Sequence, residues 1–183
     1  HMTSITRTAT ALVLATSLLV GCTTAPPTKE NRDALLESAT VALQDMNRMD
    51  PGVEPLARKG YGYALFPEVV KAGLGLGGGY GQGVVYEQGQ HVGYADLTLA
   101  SVGAQIGGQT FSELIVFENK AAMDRFKLNP IDFTAGAAAM ILQNGAAVNA
   151  SFIDGIAVVV KPITGAMAEA TIGGQLLKYV PKQ

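Results

Sequence analysis

Gly73-Leu74-Gly75-Leu76-Gly77-Gly78-Gly79-Tyr80-Gly81-Gln82-Gly83 decides the fold, because every odd position from 73 to 83 is glycine. Period two is the strand period, so an extended chain points all of these glycines to one face. That face is almost bare, and the other carries Leu74, Leu76, Tyr80, Gln82 and then Val84. Glycine in a strand is entropically costly and packs nothing. A whole row of it implies close approach to the backbone by a helix, by another strand crossing over, or by a lipid chain. Gly73, Gly75 and Gly78 also fit the spacing G-x-G-x-x-G. That spacing binds a dinucleotide where a strand ends and a helix opens onto the phosphate. Here the row runs on into the β-favouring Val84-Val85-Tyr86 and no helix opens, which argues against a nucleotide site.

Upstream, His1 before Met2 reads as a cloning scar. Arg7 supplies a positive n-region, and Ala11 through Val20 an apolar run too short for a bilayer, which needs about 20 residues. Leu19-Val20-Gly21-Cys22 has the form of a bacterial lipobox, with residues 1–21 as signal peptide and Cys22 as the lipidated first residue. Cys22 is the single cysteine of the chain, so an exported context comes without a disulfide framework. Such signals with aspartate after the cysteine are usually held at the inner membrane. Thr23 stands there instead, which implies anchoring at the periplasmic side of the outer membrane. Residues 22–28 form a short proline-bearing tether, and 29–183 suit one domain.

The net charge is −2; without Arg7 there are 12 basic against 15 acidic groups, a net of −3. This is not the balance of a nucleic-acid binder. Arg58, Lys59 and Lys71 stand out as a candidate basic patch beside the glycine row, with Gly75, Gly77 and Gly79 as candidate lipid contacts.

Asn31 is placed to cap an amphipathic helix from Arg32, with Leu35, Ala39, Ala42 or Leu43, Met46 and Met49 at three-four spacing, ending near Asp50-Pro51-Gly52. Its polar face lacks the basic bias of membrane-surface helices, so it reads as a helix packed on a sheet. A second helix covers Pro55 to Lys59, with Gly60 as its stop. Tyr61 to Phe66 reads as a strand closed by Pro67, Gln88-Gly89-Gln90 as a turn, and Val92–Leu99 and Phe111–Phe117 as further strands. Asn119 caps a helix from Lys120 to Lys127. Ala135 to Ile141 suits helix or strand and leans to strand. Phe152 to Val160 reads as strand with a turn or bulge at Asp154-Gly155, and Pro162 and Gly165 punctuate the chain beyond it. Ala104-Gln105-Ile106-Gly107-Gly108-Gln109 is echoed by Ala170-Thr171-Ile172-Gly173-Gly174-Gln175, as if two matching bends lay in one curved sheet.

Tyr63-Ala64-Leu65-Phe66-Pro67, Lys71 to Gly78, Gly81 to Val85, Ser101 to Gly107 and Ala121 to Phe126, in that order and spacing, resemble the SYLF domain, a family of lipid-binding modules. The resemblance implies an α+β domain, with a glycine-rich antiparallel β-sheet or barrel-like core, an N-terminal amphipathic helix and a short helix near 119–127. It also implies lipid binding in general terms. The chain departs from the family in having no tryptophan, and Tyr94 sits where many relatives carry one.

The catalytic inventory is thin. His91 is the one native histidine and reads as a solvated turn residue. No H-x-x-x-H, C-x-x-C or D-x-D cluster marks a metal, and no cofactor is implied. The sequence therefore favours an envelope lipoprotein that binds membrane lipid, through the Cys22 anchor and through its domain. A structural envelope protein docking a partner along a sheet edge is the second reading, and a hydrolase using buried carboxylates the third.

Overall fold

The computed structural model describes residues 26–128, 131–134 and 139–182. The expected signal peptide, Cys22 and the expected tether as far as Ala25 lie outside the described residues, as do 135–138 of the alanine-rich run. Helix α1 spans Lys29–Met49, α2 Val53–Lys59 and α3 Lys120–Leu128. The strands are β1 (Gly62–Glu87), β2 (Gln90–Phe117), β3 (Ile131–Thr134), β4 (Met140–Ile141) and β5 (Ile156–Pro181). A 3-10 turn covers Ala147–Asn149.

The domain is α+β. Its sheet runs in the order β1-β2-β5-β3 with antiparallel pairing, and β4 adds to β5 in parallel. The barrel-like expectation is corrected, because β1 and β3 stand at opposite ends of the order and the sheet stays open.

Pro67 does not close a strand. Chain pairing continues past it to Glu87, and Pro67 sits inside a register irregularity between Phe66 and Val69, where a missing N–H costs no ladder bond. Pro162 likewise lies within β5, at the shift between Thr110 and Phe111 of its partner. The result is three strands of 26, 28 and 26 residues. At about 3.3 Å per residue each reaches roughly 85–90 Å when straight.

They bend in the middle instead. At Gly75, which has φ +72°, one residue of β1 faces three of β2, since Leu74 pairs with Ile106 and Leu76 with Val102. Beyond this point β1 returns over its own first half. A Cβ at Gly79 would stand 2.7 Å from the Val70 carbonyl oxygen, one at Gly81 2.9 Å from that of Glu68, and one at Gly83 2.7 Å from that of Leu65. Of the three candidates for close approach, it is therefore strand against strand, and the strand is β1 itself. The tight turn joining β1 to β2 has positive φ at Gln88 (50°) and Gly89 (76°), as hairpin geometry demands.

The fold line explains the internal echo. Its two copies begin at Ala104 and Ala170, which are register partners, and run away from each other on adjacent strands. Gly103 and Gly107 take φ 141° and 122° there, a backbone conformation that side chains disfavour.

Two apolar clusters follow from the alternation of side chains. Ala64, Phe66 and Val69 of the first half of β1 meet Val85 of its returning half and Ala95 and Leu97 of β2, with Met123 and Phe126 of α3 closing the space. Phe126 stacks on Phe117 at 4.7 Å between ring centroids. Leu65, Val84, Leu114 and Val159 point the other way, under α1 and α2.

Helix α1 starts three residues before the sequence expectation. Thr28 is the cap, its Oγ1 accepting from the Asn31 N–H at 3.1 Å. The stripe buries Ala39, Ala42 and Met46, while Met49 stays exposed. Helix α2 begins two residues early, at Val53, and ends at Gly60 as expected. Asn119 caps α3 through Oδ1, which accepts from the Ala122 N–H at 3.0 Å.

Candidate functional site

At the bend, the outer side of the sheet is apolar and uncovered. Leu74 is 76% exposed, Leu76 70%, Val102 62% and Ile106 64%. Leu74 with Ile106 and Leu76 with Val102 are direct cross-strand pairs, so the four form one contiguous patch. Even-numbered neighbours continue it without a charge: Val70, Ala72 and Gly78 on β1, and Thr98, Ala100 and Ala104 on β2, are all exposed. Exposed apolar patches of this kind mark contact with a partner or a membrane.

The inner side of the bend is polar and satisfied. Ser101 Oγ donates to Gln105 Oε1 at 2.9 Å, and Gln105 Nε2 donates to the carbonyl oxygens of Ser101 (3.2 Å) and Gly75 (3.3 Å). This network ties β2 to the β1 bulge, so Leu74 and Leu76 are held on either side of Gly75.

The sequence-predicted site residues separate. Gly75 sits in the patch, with open space where a Cβ would be. Gly77 faces the Gln105 carboxamide and Ser101 Oγ, and Gly79 faces the Val70 carbonyl oxygen, so the protein itself fills their bare side. Arg58 and Lys59 end α2, beside the start of β1, and Arg58 is ion-paired with Glu54. Lys71 lies nine residues along β1 from Gly62, beside Gly79. The three cations are not drawn into one patch. Cys22 lies outside the described residues.

Val102 and Ile106 escaped the sequence reading, because the echo in which Ile106 stands was read for its glycines. His91 is not a freely solvated turn residue. It is half-buried between Tyr86 and Tyr94, with ring centroids at 5.5 and 5.1 Å, and burial lowers its pKa. Two carboxyls are raised by burial, Glu113 to about 7 and Asp96 to a lesser extent. They do not face each other. Glu113 accepts from Gln175 Nε2 at 2.7 and 2.8 Å, and Asp96 from the Tyr80 hydroxyl at 2.9 Å. Among the described residues, no three His, Cys, Asp or Glu side chains converge as a metal site.

No family model matches the chain. It is 30% identical over 148 residues to Beta cell expansion factor A of Aeromonas veronii, a stretch that takes in 80% of this chain and 56% of that protein. The chain thus spans little more than half the length of the curated relative it resembles.

Proposed function

We propose that this is a lipoprotein of the outer membrane's periplasmic side, anchored through Cys22, whose folded domain binds lipid or membrane surface at the apolar bend. The observation that carries the reading is the uncovered patch of Leu74, Leu76, Val102 and Ile106. Side chains of this kind gain about 1.5–3 kcal/mol each when fully buried. Water is a poor neighbour for four of them together, and an acyl layer is a good one. The lipobox and the resemblance to the SYLF family support the same reading, and the domain acts by binding rather than by catalysis. The second reading, docking of an envelope protein, rests on β1, which forms one end of the sheet order over its 26 residues.

Two measurements test the proposal. Ile106→Asp should weaken cosedimentation with phospholipid vesicles by about tenfold while leaving the unfolding midpoint unchanged, since the side chain is exposed in the free protein. Equal vesicle binding by wild type and variant would remove the bend from the site. Cys22→Ser should abolish incorporation of labelled palmitate and leave an uncleaved or soluble product. Undiminished label in that variant would refute the anchor.

A further inference from the structure

A groove of about 670 Å³ lies between α1 and the outer face of the sheet, a volume within the roughly 300–1,000 Å³ of small-ligand pockets. Val41 of α1, Val70 and Tyr80 of β1 and Ile163 of β5 all line it, and each is 44–50% exposed. Four large apolar side chains thus share one trough that the domain leaves open. Its floor is continuous with the bend, because Val70, Ala72 and Leu74 are successive exposed positions on the same side of β1. A chain entering at the apolar patch meets no charge along that row.

The polar lining has a definite sign. Asp45 is ion-paired with Arg48, and Lys161 Nζ stands 4.0 Å from the same carboxylate, so two cations share that one anion. Glu37 and Glu68 also line the groove, and neither meets a cation among the described residues. With three carboxylates, Glu37, Asp45 and Glu68, against Lys161 in its lining, the trough repels an anionic head and attracts an ammonium group.

We propose that the groove between α1 and β1 holds the single acyl chain of an amine-headed lipid, with Glu37 and Glu68 selecting the ammonium group. The inference rests on the lipid-binding reading above and adds its ligand class. It selects the opposite headgroup charge to the one a basic patch of Arg58, Lys59 and Lys71 would attract. The groove takes one lipid molecule at a time, and the bend is where that molecule leaves the bilayer.

The test is calorimetric titration of the mature chain with lysophosphatidylethanolamine and lysophosphatidylglycerol carrying the same acyl chain, both below micellar concentration. The ethanolamine lipid should bind about three- to tenfold more tightly, the range two partly exposed ion pairs supply. Glu37→Gln with Glu68→Gln should erase that preference, and Val41→Glu, at an exposed helix position, should weaken both lipids about tenfold. Equal affinity for the two lipids, or a preference that survives the double variant, overturns the proposal. So does a cationic amphipathic peptide of leucine and lysine that binds in the groove and is not displaced by either lipid. If neither lysolipid binds while vesicle binding still depends on Ile106, the groove loses its ligand and the membrane reading stands. If vesicle binding fails as well, both fall.

Discussion

Gly83→Val should lower the denaturant midpoint by the equivalent of about 3 kcal/mol or more. A Cβ at this position would stand 2.7 Å from the Leu65 carbonyl oxygen and 2.7 and 2.9 Å from two atoms of the Phe66 ring. Leu65 and Phe66 are themselves buried, so neither the carbonyl nor the ring has space into which to move. Overpacking costs typically 1–3 kcal/mol, and more where the obstacle is backbone. Gly78→Val is the matched control within the same row. Its Cβ would meet nothing closer than the Leu99 carbonyl oxygen at 3.7 Å, on the exposed side of β1. A β-branched residue there suits a strand and should be neutral or slightly stabilising. Gly77→Val should fall between them, because it displaces the Gln105 carboxamide and Ser101 hydroxyl rather than backbone. Equal midpoints for Gly83→Val and Gly78→Val would mean that β1 does not double back on itself.

Glu113→Gln should flatten the pH dependence of stability. Glu113 is fully buried, with Gln175 as its partner, and lies opposite Phe66 and Val160 in the register. Burial pushes its pKa from 4.5 up to about 7, opposed in part by the Gln175 amide. Between these two values the folded chain holds a proton that the unfolded chain releases. Its stabilisation is therefore fully present below about pH 4.5 and is lost as pH rises to about 7. The loss amounts to roughly 3 kcal/mol, at about 1.4 kcal/mol per pKa unit. The variant carries no such proton, so the difference between wild type and Glu113→Gln isolates it. The two proteins should diverge as pH rises, with the variant gaining on wild type. Taking the difference matters, because other groups slope both ways. Burial raises Asp96 in the same direction as Glu113. Asp50 runs the opposite way: burial pushes it up, but backbone N–H groups of Ala147 and Gly52 outweigh that and lower it, so its contribution is lost as pH falls. His91, lowered by burial, likewise loses stability as pH falls. A difference that stays constant across the range would show that Glu113 is not held in a desolvated interior.

Glu113 and Gln175 lie on opposite halves of the folded sheet. Glu113 belongs to the half of β2 paired with the start of β1, and Gln175 to the half of β5 paired with the start of β2. Their hydrogen bonds therefore cross the interior that the bend creates. No sequence period reveals such a contact, since the two residues are 62 positions apart.

Local physics made much of the fold legible. Period two marked the glycine row as strand, the Gln88-Gly89 pair fixed the hairpin between β1 and β2, and Asn119 as cap gave α3 to within a residue. Each depends on neighbours a few positions away, and the chain states these directly. The prolines misled because a proline ends a strand only where its N–H is needed, and register irregularities beside Pro67 and opposite Pro162 remove that need. The site was half legible. Leu74 and Leu76 were placed on the face opposite the glycines, yet the glycines drew the lipid-binding assignment. Which face is covered is decided by how 26 residues of β1 return over themselves at Gly75, filling the glycine side with Leu65, Phe66 and Val69. Alternation in sequence defines two faces but does not say which one the protein uses for its own packing. Tertiary structure made that choice, by burying the bare face and leaving the leucines to the outside.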